Sequence, residues 1–339
     1  MQYASLDDKF LPPLQLTLPL LDLAVRRGVD RNRLLRGTGI FIEDIRDNGT
    51  RLSVAQVLKL IANIRKLVPG HDTAFQLGRR LFPGSLGAAA NLFLHSRDLE
   101  QALRLLDLFR MQICPFVHGR YHQHAGRCYI LPSDAIGCGE QFQFVIEAYF
   151  TALVSAVRLV TGKRIPFQFD FPYPRPRHIQ EYEENLGFRC RFSQPQLSIG
   201  FDLVHLQTPF LHPSQILVRH AFHQARMQRG ELKRGFIETV RQQIARSRNL
   251  PLQNLAVRFE VSPATFKRHL KQHGFCFQQL QDEVGRQQAL YLLGVKKCNN
   301  EQIASQLHFT DTTNFRRAFK RWTGCTPNEL RLRLHPWSS

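Results

Sequence analysis

The chain has 339 residues, with 46 Lys/Arg against 27 Asp/Glu and a net charge of +19 at neutral pH. Hydrophobic residues make up 43%, enough for two or three cored domains, and 21 Gly with 18 Pro exclude a collagen-like or low-complexity chain. Seven cysteines, scattered from Cys114 to Cys325, fit neither a disulfide framework nor paired C-x-x-C zinc spacing, so reduced thiols in a cytoplasmic protein are expected.

The first ten residues carry Asp7, Asp8 and only Lys9, without the basic start of a signal peptide. Residues 14–111 read mainly as helices. Leu52, Val54, Val57, Leu58, Ile61, Ile64 and Leu67 keep helical spacing, as do Leu99, Leu103, Leu106 and Phe109. Two short strands follow, near 116–119 and 127–131, around a glycine-containing turn. Residues 142–160 read as a long buried helix; Glu147 and Arg158 argue against a membrane span. Strands near 165–171, 188–192 and 197–201 enclose a proline-rich turn and a short helix at 178–185. Residues 1–205 therefore form an α+β domain. Residues 206–230 read as a linker helix and hinge, and 231–339 as all helical.

The charge concentrates toward the end: residues 230–339 hold 18 Lys/Arg against 8 Asp/Glu. A polyanion, nucleic acid before membrane, is the partner such a balance favours. The same region contains a repeat. Leu255-Ala256-Val257-Arg258-Phe259-Glu260-Val261-Ser262 aligns with Ile303-Ala304-Ser305-Gln306-Leu307-His308-Phe309-Thr310, and Phe266-Lys267-Arg268 with Phe315-Arg316-Arg317. Each copy has helix-turn-helix form. Ala256 and Ala304 allow a close helix crossing. Ser262 before Pro263 caps one second helix, and Thr310 or Asp311 the other. The second helices bury Phe266 and Leu270, or Phe315, Phe319 and Trp322. Opposite lie Lys267, Arg268 and Lys271, or Arg316, Arg317, Lys320 and Arg321, a face suited to the major groove.

Residues 232–334 resemble the DNA-binding domain of the AraC/XylS family of bacterial transcription regulators. The segment from Asn300 through Asn314-Phe315-Arg316-Arg317-Ala318-Phe319-Lys320-Arg321-Trp322-Thr323-Gly324-Cys325-Thr326-Pro327 carries the likeness. The resemblance implies seven helices, two helix-turn-helix units and a connecting helix over 277–293. It implies base-facing positions at Ala264, Lys267 and Arg268, and at Thr312, Thr313, Arg316 and Arg317; Thr265, Lys271, Lys320 and Arg321 complete the expected DNA contacts. Glu260 and His308 depart from the family, standing where these turns usually hold glycine, and a left-handed residue there costs roughly 1 kcal/mol. Residues 1–205 resemble more faintly the family's arabinose-binding-like effector domain, which implies ligand sensing or dimerisation but identifies no sugar. Promoter DNA, a small-molecule effector, RNA polymerase and a second copy of the chain are the implied partners, with activation the expected mode.

Other chemistry is sparse. His118, His122 and His124 near Cys114 and Cys128 suit either a metal site or a polar hairpin turn; the turn is the reading adopted, and no metal or other cofactor is expected. Gly84-Ser85-Leu86-Gly87 lacks the glycine a nucleophile elbow needs, phosphate-binding glycine loops do not occur, and no enzymatic activity is expected. Phe109, Phe116, Phe142, Phe144, Tyr149 and Phe150 are candidate walls of an apolar effector pocket, with Arg110 or Arg158 facing a carboxylate head. Ordinary core is the competing reading for these aromatics. An architectural, nonspecific DNA-binding protein is the alternative function.

Overall fold

The computed structural model describes residues 2–47, 49–84, 86–228, 234–247 and 250–334. Ser85 and the expected domain boundary at 230–231 lie outside them. The chain divides into two compact units, one covering 2–236 except 194–196 and the other from Ile237 onward.

The first unit opens with β1 (Lys9–Leu11), α1 (Thr17–Arg26), α2 (Arg31–Leu35), α3 (Ile42–Arg46), β2 (Leu52–Ser53) and α4 (Val54–Leu67). Then come α5 (Thr73–Leu81), α6 (Gly87–Leu94), α7 (Leu99–Leu108) and α8 (Arg110–Ile113). A hairpin, β3 (Val117–His124) and β4 (Arg127–Asp134), precedes α9 (Phe142–Thr161). β5 (Gln168–Asp170), α10 (Ile179–Leu186), β6 (Cys190–Arg191), β7 (Ser198–Asp202) and α11 (Gln215–Met227) complete the unit. The main sheet runs β3-β4-β7-β5-β6, antiparallel except for the parallel β5–β6 pair.

The hairpin is longer than its apolar residues suggested. His118, His122 and His124 pair in register with Ser133, Tyr129 and Arg127, so they belong to a strand and not to the turn. The turn is Ala125-Gly126, both at positive φ, the geometry a two-residue hairpin loop demands. Among the described residues no group of three His, Cys, Asp or Glu side chains is placed to hold a metal. None of the seven cysteines is in a disulfide.

Helix α9 lies between two cores. Phe144, Val145, Ala148 and Ala152 pack with α1, α4 and α5. Ile146, Phe150, Ala156, Val157 and Val160 pack with the sheet aromatics Phe167, Phe169, Phe171 and Phe201. The segment Gly139–Thr161 has the length and hydropathy of a membrane span, yet 67% of its most apolar stretch is buried inside the protein, as in the buried helix expected there. Its contact with α5 is close enough to require Gly78: a Cβ there would sit 2.3 Å from the Ala148 carbonyl oxygen. The expected linker contains α11, whose Val218, Ala221 and Ala225 are buried with Ala88, Ala89 and Leu92 of α6. Its apolar stripe makes it part of this core.

The second unit is helical: α12 (Phe236–Arg246), α13 (Leu252–Arg258), α14 (Pro263–Gln272), α15 (Phe277–Gly294), α16 (Asn300–Gln306), α17 (Thr312–Thr323) and α18 (Pro327–Leu334). Glu260 and His308 occupy the two inter-helix turns at φ 58° and 56°, the left-handed conformation that glycine adopts without strain.

Two stability changes follow. Gly78→Ala should lower the free energy of unfolding by about 1–3 kcal/mol, since backbone opposes the new methyl; chemical denaturation checks it. Glu260→Gly and His308→Gly should each stabilise the second unit by up to about 1 kcal/mol, and a lowered melting temperature for both would contradict strain in these turns.

Candidate functional site

Each helix-turn-helix is assembled by the same local devices. In the first, the Val261 amide donates to the Ala256 carbonyl at 3.2 Å, closing the turn. Ser262 Oγ accepts from the Thr265 amide at 3.1 Å, and Pro263 begins the helix. Phe259 and Phe266 meet at 5.1 Å between ring centroids, and Phe266 and Leu270 are fully buried. In the second, the Phe309 amide donates to Ala304 at 2.8 Å. Asp311, not Thr310, is the cap, accepting from the Asn314 amide at 2.7 Å. Phe309 packs on both Phe315 and Trp322.

Burying those stripes turns the opposite faces outward. Ala264, Lys267, Arg268 and Lys271 are exposed on α14, and Thr313, Arg316, Arg317, Lys320 and Arg321 on α17; Thr265 and Thr312 are half-buried. Thr265 is engaged locally, its hydroxyl 2.9 Å from that of Ser262. Arg321 differs from the other cations, because its Nη2 donates to Asp282 Oδ1 on α15 at 2.9 Å. No ion pair within the described residues holds Lys267, Arg268, Lys271, Arg316, Arg317 or Lys320. Unpaired guanidinium and ammonium groups on a helix with a rigid apolar back can hydrogen-bond phosphates or base edges.

The first unit holds a cavity of about 710 Å³, within the range of small-molecule sites. Leu103 and Leu106 of α7, Phe150 and Leu153 of α9, Phe93 and Leu206 supply apolar wall. Glu100, Arg104, Asp107, Arg110, His118, Arg120 and His122 gather polar groups around it. Burial, with Arg120 nearby, holds the His122 imidazole below its usual range. Arg110, with only 12% of its side chain exposed, stands 3.8 Å from Asp107.

The expected effector residues divide. Arg110, Tyr149 and Phe150 line this cavity; Tyr149 also donates to the Ile113 carbonyl at 3.2 Å. Phe109, Phe116, Phe142 and Phe144 do not line it. Phe116 and Phe144 belong to the helical core, Phe142 packs against both cores, and Phe109 stacks edge-on against Phe222 of α11 at 5.2 Å. Arg158 lies in a separate groove with Arg79, Lys163 and Arg164. The leucines of α7 escaped notice because helical spacing reads the same for a core face and a cavity wall.

Comparison with known proteins follows this division. Residues 28–210 match the family described as the arabinose-binding domain of AraC transcription regulators, N-terminal part, and residues 255–333 match a helix-turn-helix domain family. The ornithine utilization regulator of Pseudomonas aeruginosa is 26% identical over 326 residues, 95% of this chain and 96% of that protein. The HTH-type regulator VqsM of the same species is 31% identical over 75 residues, 22% of this chain and 23% of its own length. The crystal structure of the regulator CdpR from Pseudomonas aeruginosa aligns over 93% of this chain and 97% of its own, at 15% identity and a TM-score of 0.36. The chain belongs to the AraC family of transcription regulators, with an effector-binding N-terminal domain and a helix-turn-helix DNA-binding domain.

Proposed function

We propose that this protein is a cytoplasmic, sequence-specific activator that reads promoter DNA through both α14 and α17 and answers to a small effector held in the N-terminal cavity. The observation that carries the reading is the pair of capped helices, each with a buried stripe and an outward cationic face, of which only Arg321 is held in an ion pair among the described residues. Ala264 leaves the start of α14 short of a base reader, so Lys267, Arg268 and Lys271 serve mainly as phosphate contacts there. Thr312, Thr313, Arg316 and Arg317 of α17 read bases, with Lys320 on phosphate. Seated at the promoter, the protein engages RNA polymerase, and a homodimer supplies a second DNA-binding unit.

The effector has an apolar body and an anionic head: an acyl carboxylate lies along Leu103, Leu106, Phe150 and Leu153 and meets Arg110. Its signal has a hydrogen-bonded route outward. Arg110 and Ile113 of α8 line the cavity, while Gln112 Nε2 donates to the Ala225 carbonyl of α11 at 2.9 Å. Helix α11 is the last element before the chain continues toward α12. An effector that binds one arrangement of α8 better than another shifts that equilibrium by its differential affinity. A second effector chemistry is favoured by Glu100 and Asp107 on the same wall: beside Arg110 they suit a diamino acid, the class that the name of the similar ornithine utilization regulator mentions.

Selection of bound sequences from random duplex DNA by the full chain should recover two blocks about one helical turn apart. A flat result, with and without added cell extract, would favour architectural binding instead. Arg317→Ala should weaken binding to the recovered site by about 1–3 kcal/mol and relax preference at one position; a uniform loss with a shallower salt dependence would assign it to phosphate. Decanoate and ornithine separate the effector chemistries in thermal melts of the full chain. At a hundredfold excess over its Kd the true class stabilises by about 2.7 kcal/mol, and Arg110→Ala should abolish that gain.

A further inference from the structure

Two consecutive carboxylates on α15 are gripped by arginines from two different helices. Glu283 Oε2 accepts from Arg241 Nε at 2.9 Å and Nη2 at 2.7 Å. Arg241 belongs to α12, its side chain is only 5% exposed, and its guanidinium lies 5.1 Å from the centroid of Phe275. The same side continues into the first helix-turn-helix, where Arg258 of α13 donates to Gln243 of α12 at 2.9 Å. Asp282, one residue earlier, points about 100° away around the helix. It accepts from Gln278 at 3.1 Å and from Arg321 at 2.9 Å, and Arg321 is the residue after Lys320 on the cationic face of α17.

The apolar attachment of α17 to α15 lies elsewhere. Ala289 and Leu293 bury against Phe315 and Phe319, two turns or more along α15 from Asp282. Apolar contact is non-directional and tolerates a small roll of one helix on another. A charge-assisted hydrogen bond remote from that seam is directional and adds a preferred angle. The Glu283 contact is the buried and fixed one; Arg321, 61% exposed, is the adjustable one.

We infer that Asp282, acting through Arg321, sets the angle of the second recognition helix against the first and thereby the spacing between the two DNA blocks the protein accepts. Arg321 is then a positioning residue more than a DNA contact. The inference rests on both recognition helices binding one duplex.

The test uses the full chain and the two-block duplex recovered by selection, with the spacer lengthened or shortened by one base pair. The parent protein should prefer its own spacer by about tenfold. Asp282→Asn and Arg321→Gln should each cut that preference by about three- to fivefold, and the charge-exchanged Asp282→Arg/Arg321→Asp protein should restore it. Melting temperatures near the parent's exclude loss of folding as the cause. Retention of the parent's spacing preference in Asp282→Asn overturns the inference alone. So does Arg321→Gln losing affinity equally at every spacing, with a shallower salt dependence, while Asp282→Asn does not. Recovery of no two-block site overturns the two-helix reading itself.

Discussion

Helix α9 has almost no face it can show to water, and the N-terminal unit is built around that constraint. The flanks of α9 are apolar and must be covered, and Glu147 on its polar stripe is itself buried, accepting from Gln143 and Tyr182. The α1, α4 and α5 helices cover one side and the aromatic sheet the other. Gly78 lets α5 come close enough that backbone touches backbone. The cavity lies where this covering is incomplete: Phe150, Leu153 and Ala156 of α9 face α7 and the β3–β4 hairpin across open space. The apolar pressure that assembles the unit therefore also prepares a site for an apolar ligand.

The second unit obeys a different economy. Its helices are short, and α14 and α17 carry more charge than apolar surface, so local capping and a few buried aromatics define them. Ser262 and Asp311 fix where each recognition helix begins. Phe266 and Phe315 fix which face turns inward, and the cations are left outward by subtraction. Glu260 and His308 keep the left-handed turns although neither is glycine. Closure of the turn by the Val261 and Phe309 amides holds that conformation against its intrinsic cost.

These differences explain what could be read from residues alone. The recognition helices were legible because every signal that defines them lies within about twenty residues: a cap, a stripe, a cationic face. The helix at 142–161 was legible from its continuous apolarity. The hairpin runs beyond the strands expected at 116–119 and 127–131, because His122 and His124 look like turn residues until register places them opposite Tyr129 and Arg127. The effector wall was half legible. Arg110, Tyr149 and Phe150 face the cavity, whereas Phe109, Phe116, Phe142 and Phe144 pack into cores. Periodicity reports that a side chain is apolar and on one face; it does not report whether the facing layer closes. The α11 stripe of Val218, Ala221 and Ala225 repeats at helical spacing, yet its partners Ala88, Ala89 and Leu92 lie about 130 residues earlier.

The Asp282–Arg321 contact shows the same limit from the functional side. Arg321 belongs, by spacing, to the cationic face of α17, and nothing local distinguishes it from Lys320. A carboxylate 39 residues earlier does. A helix-turn-helix can be specified locally, but the relation between two of them cannot, since it depends on groups that meet only after both have folded. Sequence reading therefore recovers each helix-turn-helix before it recovers the contacts that relate one to the other. In this chain those contacts converge on one helix, α15, whose adjacent acidic residues each bind an arginine from a different element.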